Sequence, residues 1–173
     1  MLYKNGNDTL FLKNLENKTL LRYPKGHLGK ISEDGKWFLY MVMDTLKIVG
    51  LGKSSGSTIA RVKGYTLSGN ILICQVRDST STTLQIQRMG NPTFERIRNV
   101  RESSMNPMGT SIALVREVNG VSTIEVIDTS NYFKSTVIQS DKEFGYKGIT
   151  WNKNGDTFAF FGGIDSLGRN KQV

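Results

Sequence analysis

Ile31-Ser32-Glu33-Asp34-Gly35-Lys36-Trp37-Phe38-Leu39-Tyr40 is a turn followed by a strand, and its pattern decides the fold because it recurs along the chain. The pattern consists of an apolar residue, a small polar residue, two turn residues, a glycine and then an apolar run. Three further copies begin at Tyr65, Met105 and Trp151 and reach their glycines at Gly69, Gly109 and Gly155. The copies lie about 40 residues apart, a period typical of architectures that repeat one supersecondary unit.

A second motif interleaves with the first at a similar period. Its copies are Thr9-Leu10-Phe11-Leu12, Thr45-Leu46-Lys47-Ile48, Thr83-Leu84-Gln85-Ile86 and Thr123-Ile124-Glu125-Val126. Apolar and polar residues alternate around Lys47 and Gln85, which predicts half-buried strands. The runs after the glycines are apolar on both faces, which predicts central strands. A third run in each repeat carries Arg or Lys, as edge strands do, at residues 19–23, 58–62, 94–97 and 134–138.

Each repeat therefore contains about four short strands, and no stretch shows sustained helical periodicity. The pairs Asp34-Gly35, Ser68-Gly69 and Asn154-Gly155 favour tight hairpin turns, in which glycine adopts positive φ without a steric cost. We predict an all-β fold, a β-propeller of four-stranded antiparallel blades with about four blades present. Residues 1–173 would form a single propeller domain or a propeller fragment, with repeat turns centred near 35, 69, 109 and 155. A β-sandwich also has short, regular strands, but it does not repeat two motifs in register.

Lys and Arg outnumber Asp and Glu by 23 to 15, which gives a formal net charge of +8. Nucleic-acid binding requires such charge to be gathered on one face, and here most of it is dispersed. One cluster contains Arg88, Arg96, Arg98 and Arg101 with Phe94 nearby, and Arg96 and Arg98 would share a strand face. We interpret the cluster as a solvated strand face and expect no nucleic-acid partner. No apolar segment has the length of a membrane span.

Gly52-Lys53-Ser54-Ser55-Gly56 matches G-x-S-x-G, the nucleophile elbow of serine hydrolases. That elbow requires a helix after the serine and then an Asp and a His further along the chain. The segment after Gly56 is strand-like, and the single histidine, His27, lies upstream, so we interpret the motif as a turn. A lone histidine is a poor metal site, and we expect His27 in a loop between blades, bonded to the backbone.

Cys74 is the single cysteine, which excludes an internal disulfide, and its apolar neighbours predict a buried core residue. Trp37 and Trp151 lie beside repeat turns and are expected to pack between blades. No calcium-loop spacing and no glycine-rich phosphate loop occurs. The sequence predicts no catalytic, metal-binding or cofactor-binding residue and no cofactor, and it leaves the substrate-binding residues unassigned.

The segment Ile31–Tyr40 resembles the S-x-D-G-K turn and strand of TolB-like and WD40-like propellers and of prolyl oligopeptidase family serine peptidases. Tyr146–Asp156, followed by Phe158-Ala159-Phe160, is similar to the amino-terminal propeller of a Bacteroidetes-type, dipeptidyl peptidase-like subgroup of these peptidases. Leu10–Leu15 resembles the blade that precedes it.

The resemblance implies a propeller that gates or binds peptide substrates for a carboxy-terminal α/β-hydrolase domain, which would supply the catalytic Ser, Asp and His. No matching catalytic segment is present here, so the chain is not expected to be an enzyme on its own. The resemblance also implies a periplasmic or other extracytoplasmic location, although no signal peptide is visible. A stand-alone propeller that serves as a protein-interaction scaffold is the alternative, and an enzyme acting through Ser54 is a third reading.

The sequence is compatible with two ring arrangements. Residues 149–162 could pair with strands at 9–12 and 19–23 to close a four-blade ring, or the chain could be part of a larger ring, which we favour because four blades are rare. In a larger ring the unpaired outermost strands are expected to cause self-association. Sedimentation and calorimetry test this expectation, because a monomer that unfolds cooperatively would favour the closed ring.

Overall fold

The computed structural model of the chain describes residues 2–4, 9–52, 56–78 and 81–164, and within them the backbone forms strands and turns without a helix. The strands, in chain order, are β1 Leu2–Lys4, β2 Thr9–Lys13, β3 Leu20–Pro24, β4 Gly26–Ile31, β5 Trp37–Val42, β6 Thr45–Gly50, β7 Gly56–Ile59, β8 Val62–Ser68, β9 Ile71–Arg77, β10 Thr82–Arg88, β11 Phe94–Ile97, β12 Val100–Met105, β13 Ser111–Val118, β14 Val121–Asp128, β15 Lys134–Asp141, β16 Phe144–Trp151 and β17 Phe158–Ile164.

These strands form five sheets within the described residues, with the strand orders β1-β2-β3, β4-β5-β6-β7, β8-β9-β10-β11, β12-β13-β14-β15 and β16-β17. Each four-stranded sheet is a meander in which every strand pairs with its neighbour in sequence. The order within a sheet is the predicted one: a first strand, an apolar strand after the glycine, the threonine-motif strand and a charged outer strand. The prediction of an all-β propeller with four-stranded antiparallel blades is confirmed.

The chain divides into two compact units. The first contains Met1–Arg77 and Ile86–Thr93, and the second contains Asp78–Gln85 and Phe94–Val173. The first unit therefore holds the first and second sheets with β8 and β9, and the second unit holds β11 with the fourth and fifth sheets. A single propeller domain or fragment over residues 1–173 stays a prediction.

Three of the four repeat turns are capped by the small polar residue that precedes them. Ser32 Oγ accepts a hydrogen bond of 2.9 Å from the Trp37 N–H, and Asn106 Oδ1 accepts one of 2.9 Å from the Thr110 N–H. Asn152 Oδ1 is bonded in the same way by the N–H of its turn glycine. The glycines of these turns have positive φ angles, 67° at Gly35, 71° at Gly109 and 75° at Gly155. Residues other than glycine rarely adopt such angles.

The second copy of the turn is built differently. Its small polar residue, Thr66, lies within β8 opposite Ile73 and caps nothing. The strand instead continues to Ser68, which pairs with Ile71, so the turn consists of Gly69 and Asn70 alone. The Gly69 N–H of this turn donates instead to Glu33 Oε1, at 3.4 Å, from the turn between β4 and β5. The predicted positive φ at Gly69 is confirmed at 53°.

Burial follows the predicted pattern in β6 but not in β10. In β6 every second residue is buried, as the alternation around Lys47 predicts. In β10 all four residues from Thr83 to Ile86 are buried, including Gln85. The half-buried pattern predicted there is wrong, because both faces of this stretch of β10 are withdrawn from solvent and the residue types alone do not reveal that.

Apolar packing joins successive sheets in each unit. Phe38 of β5 packs with Leu10 and Leu12 of β2, and the ring centroids of Tyr23 and Phe38 lie 5.0 Å apart. A second cluster joins the second sheet to β8 and β9 through Leu39, Met41, Leu46, Ile48, Val62, Leu72 and Cys74. In the second unit, Ala113, Val115 and Ile124 of the fourth sheet pack against Tyr146 and Ile149 of the fifth. Each buried aliphatic side chain contributes about 1.5–3 kcal/mol of transfer free energy.

Glu102 of β12 also joins the fourth and fifth sheets. Its carboxylate accepts hydrogen bonds of 2.8 Å from the backbone N–H groups of Gly148 and Ile149, at a bulge in β16. Gly148 has a φ of 70°, and a Cβ at this position would lie 2.7 Å from Phe161 Cδ2, so the bulge requires glycine. The carboxylate thus satisfies two N–H groups that the interrupted strand ladder leaves unpaired.

Two further contacts between the same sheets involve alternate residues of β12 and its turn. Trp151 Nε1 donates to the Ser104 carbonyl at 3.0 Å, and Asn106 Nδ2 donates to the buried Gly155 carbonyl at 2.9 Å. Trp151 therefore packs between blades, as its position predicted. Asn106 has two functions, since its oxygen caps its own turn and its nitrogen bonds the next turn.

We predict that Asn106→Ser lowers the free energy of unfolding by about 1–3 kcal/mol, because serine retains the cap but is too short to reach the Gly155 carbonyl. Asn152→Ser is the matched control. The Asn152 side chain is exposed and bonds only within its own turn, so the expected loss is below about 0.5 kcal/mol. Urea unfolding followed by tryptophan fluorescence measures both losses, and equal losses would contradict the inter-sheet function of Asn106.

Candidate ligand-binding cleft

The sequence motif that resembles a nucleophile elbow is followed by a strand and not by a helix. Gly52 has a φ of 79°, and Gly56 begins the strand β7, as expected of a turn between strands. Lys53, Ser54 and Ser55 lie outside the described residues. A strand after the serine is incompatible with the strand–turn–helix geometry that a nucleophile elbow needs.

His27 is placed in a strand and not in a loop. It belongs to β4, where it pairs with Met41 at the edge of an irregularity in register between His27 and Lys30. The expected loop position is wrong, because β4 begins directly at Gly26 after a turn of one residue. In the described part of the chain no three His, Cys, Asp or Glu side chains converge in a way that could hold a metal ion.

Cys74 is fully buried in the core cluster of the first unit, as predicted. Burial raises the pKa of its thiol to about 12. The neighbouring Tyr65 hydroxyl donates to the Leu28 carbonyl of β4, and burial, with a smaller contribution from Cys74, raises the pKa of Tyr65 as well. Both groups therefore stay protonated at neutral pH, and the thiol is not a nucleophile in the folded chain.

A cleft of about 460 Å³ lies wholly within the second unit, and we name it the arginine cleft. It is lined by residues of β11, β13, β14, the start of β15 and the connections after β11 and β14, namely Glu95, Arg96, Ile97, Arg98, Arg116, Glu125, Phe133 and Ser135. No histidine or lysine is among these lining residues.

A partly buried ion pair forms the floor of the arginine cleft. Arg116 Nη1 donates to Glu125 Oε1 at 2.8 Å, and Ser135 Oγ donates to the other carboxylate oxygen at 2.8 Å. The Glu125 side chain is 8% exposed and that of Arg116 is 30% exposed. Arg116 Nε also donates to the Arg98 carbonyl at 3.2 Å. The floor is therefore rigid, because each of its charged groups is held by at least two bonds.

Two exposed guanidinium groups lie above this floor. Arg96 stacks on the ring of Phe94, with its Cζ 4.8 Å from the ring centroid. Neither Arg96 nor Arg98 has a carboxylate partner among the described residues. A stacked guanidinium keeps its in-plane N–H groups available for an incoming acceptor. The cleft therefore presents cationic donors that no described side chain neutralises.

The connection between β14 and β15 holds Phe133 in the cleft at a cost in backbone energy. Tyr132 and Phe133 have φ angles of 49° and 58°, a conformation that costs residues other than glycine about 1–3 kcal/mol each. Asp128 Oδ1 stabilises the connection by accepting the Ser130 N–H at 2.8 Å and the Ser130 hydroxyl at 2.6 Å. The hydroxyl bond is the main cause of the lowered pKa of the Asp128 carboxyl.

The sequence grouped Arg96 and Arg98 on one strand face and interpreted that face as solvated. Both side chains are exposed and line the cleft, although Arg98 lies just beyond the end of β11. Arg101 does not join them, since it pairs with Glu117 and lines a different cleft, and Arg88 belongs to the first unit. The partly buried pair of Arg116 and Glu125 was missed. The signal for Glu125 was a charged residue inside a threonine motif, between Ile124 and Val126.

A smaller cleft of about 200 Å³ lies in the first unit. Trp37, Met89 and Pro92 form its apolar wall, and Gly90 approaches the Trp37 ring so closely that a Cβ would lie 3.4 Å from Cζ2. Trp37 also packs against the core cluster that joins the second sheet to β8 and β9, which fulfils the expectation that it packs between blades.

No protein-family model and no curated protein matches this chain. Solved structures share its fold. Hsv2 of Kluyvelomyces marxianus is similar over 92% of this chain and 55% of its own, with 10% identity and a TM-score of 0.56. Hydrazine synthase of Kuenenia stuttgartiensis is similar over 88% of this chain and 55% of its own, with 15% identity and a TM-score of 0.50.

The β-propeller domain of the Trilobed protease from Pyrococcus furiosus is similar over 57% of this chain and 33% of its own, with 21% identity and a TM-score of 0.45. At these identities the likeness establishes the fold alone. This chain spans about half the length of Hsv2 and of hydrazine synthase, 55% in each case. The described residues contain no helix long and apolar enough to cross a membrane.

We predict that Cys74 reacts with a disulfide reagent such as DTNB only after the chain unfolds, because its thiol has a pKa of about 12 and no solvent contact. The same chain in concentrated urea is the control and should react at once. Rapid labelling of the native chain at pH 8 would contradict this placement of Cys74.

The same raised pKa affects stability in alkali. An unfolded thiol ionises near pH 9.0 and the folded one near 12, so the unfolded state loses its proton first and the free energy of unfolding falls as pH rises above about 9. The expected contribution of Cys74 is about 1.4 kcal/mol per pH unit in that window. Cys74→Ala should remove this part of the dependence of the unfolding free energy on pH. An unchanged dependence in the variant would contradict the contribution of Cys74.

Proposed function

We propose that this chain is a non-catalytic β-propeller segment that binds or gates peptide substrates for the hydrolase domain of a prolyl oligopeptidase family serine peptidase. The proposal includes the Bacteroidetes-type, dipeptidyl peptidase-like subgroup and a periplasmic or other extracytoplasmic location, and both of these rest on the sequence resemblance alone.

The repeated turn is the observation that carries the proposal. Ile31–Tyr40 and Tyr146–Phe160 resemble the turn and strand of the propellers in these peptidases. In the structure both segments form a polar cap, a glycine turn and the strand that follows the turn. The residues that carry the resemblance are thus the ones on which the blade geometry depends.

The chemistry of the described side chains supports a binding function over catalysis. Ser32 and Asn106, the buried polar residues of the repeat turns, have their oxygens occupied by backbone N–H groups. Cys74 is buried and protonated. The arginine cleft offers guanidinium donors and an aromatic wall, which are groups suited to recognising a ligand.

We expect the purified chain to hydrolyse no peptide. The complete reading frame should encode, downstream of residue 173, a G-x-S-x-G between a strand and a helix, followed by Asp and His. In the protein expressed from that frame, Ser54→Ala should leave kcat/KM for a short chromogenic peptide unchanged. Alanine at the downstream serine should lower it by several orders of magnitude.

A gate would also make the activity of the complete protein depend on the size of the substrate. The value of kcat/KM should fall as substrates lengthen from short peptides to folded proteins, because a propeller filters by size. A reading frame that stops just after Val173 would replace the proposal with a stand-alone interaction scaffold. Hydrolysis by the chain that is abolished in Ser54→Ala would instead make this chain the enzyme.

A further inference from the structure

The charges in the arginine cleft match a ligand with few negative charges. Three guanidinium groups and two carboxylates line it, a local excess of one positive charge. Glu125 is fully engaged by Arg116 and Ser135, so the available charges are those of Arg96, Arg98 and the exposed Glu95. A nucleic-acid backbone needs several phosphate contacts for stable binding, and the carboxylates in this cleft would oppose a closely spaced series of phosphates.

The geometry suits an extended chain. β11 is the last strand of its sheet, and edge strands of this kind pair with extended peptides. Arg96 is held in place by its stack on Phe94, so it loses little conformational freedom when it binds a carboxylate. Phe133 and Ile97 add an apolar wall for a neighbouring side chain.

We propose that the arginine cleft binds acidic peptide segments, with Arg96 and Arg98 donating to the carboxylate of an Asp or Glu side chain. This inference rests on the proposed function only in that the ligand is a peptide, and it adds the sequence preference of that ligand. Arg116 is a positioning residue. It fixes Glu125 and, through the Arg98 carbonyl, the backbone that carries Arg98.

Fluorescence anisotropy with the complete chain tests the proposal. The probes are a labelled peptide with two Asp residues in an apolar sequence, the same peptide with Asn in place of Asp, and a single-stranded oligonucleotide of similar length. The Asp peptide should bind at least about tenfold more tightly than the Asn peptide, and its affinity should fall with salt.

The variant Arg96→Gln/Arg98→Gln should weaken binding of the Asp peptide about tenfold and leave the Asn peptide unchanged. The matched control is Arg22→Gln/Arg77→Gln, which removes the same charge from exposed positions in the first unit and should change the affinity less than about twofold. Both variants alter exposed side chains, so circular dichroism should show an unchanged fold.

Glu125→Gln provides a test with the opposite sign. Glutamine keeps an oxygen acceptor for Arg116 but removes the negative charge, so the cleft becomes more positive and the Asp peptide should bind several-fold more tightly. If Glu125 only supported the structure, Glu125→Gln would weaken binding of the Asp peptide or leave it unchanged.

Four outcomes would overturn the inference, and they separate it from the proposed function. Equal affinity for the Asp and Asn peptides would refute the assignment of acidic peptides to the arginine cleft. An equal loss of affinity in the cleft and control variants would do the same, and both outcomes would leave the proposal of a peptide-binding propeller intact. An oligonucleotide that binds more tightly than the Asp peptide, and loses that binding in Arg96→Gln/Arg98→Gln, would assign the cleft to nucleic acid. Binding of no peptide would count against both.

Discussion

A single side-chain oxygen at each capped turn determines which residues of the following strand are buried. Ser32 Oγ and Asn106 Oδ1 accept backbone N–H groups across their turns and so close each hairpin in one register. A slip of one residue in a strand pair would move every apolar side chain to the opposite face. The packing of Phe38 and Leu39 against different neighbouring clusters depends on that register.

Polar bonds then connect one sheet to the next at equivalent positions of the repeat. Tyr65 and Trp151 both stand four residues before the glycine of their turn. The hydroxyl of Tyr65 donates to the Leu28 carbonyl, and the indole N–H of Trp151 donates to the Ser104 carbonyl, in each case on the first strand of the preceding sheet. An aromatic residue with a polar tip can fill the space between sheets and still donate a hydrogen bond to a strand carbonyl.

The arginine cleft occupies positions at which the repeats differ. The second position of the threonine motif is always aliphatic and buried, whereas the third is Phe11, Lys47, Gln85 or Glu125. Burial of Glu125 is tolerable because Arg116 and Ser135 satisfy both carboxylate oxygens. The blade is therefore specified by the common positions, whereas the third position of the threonine motif differs in charge and polarity from one repeat to the next.

The period of the turns and the alternation in the strands were sufficient to predict the sheets, since strand formation and hairpin turns depend on neighbours in sequence. They also predicted the burial of Cys74. They did not predict that β8 continues past Thr66 to Ser68, that Gln85 is buried or that Arg116 meets Glu125. Those outcomes depend on what covers a strand face and on which strands adjoin, and only the tertiary structure brings such distant residues together.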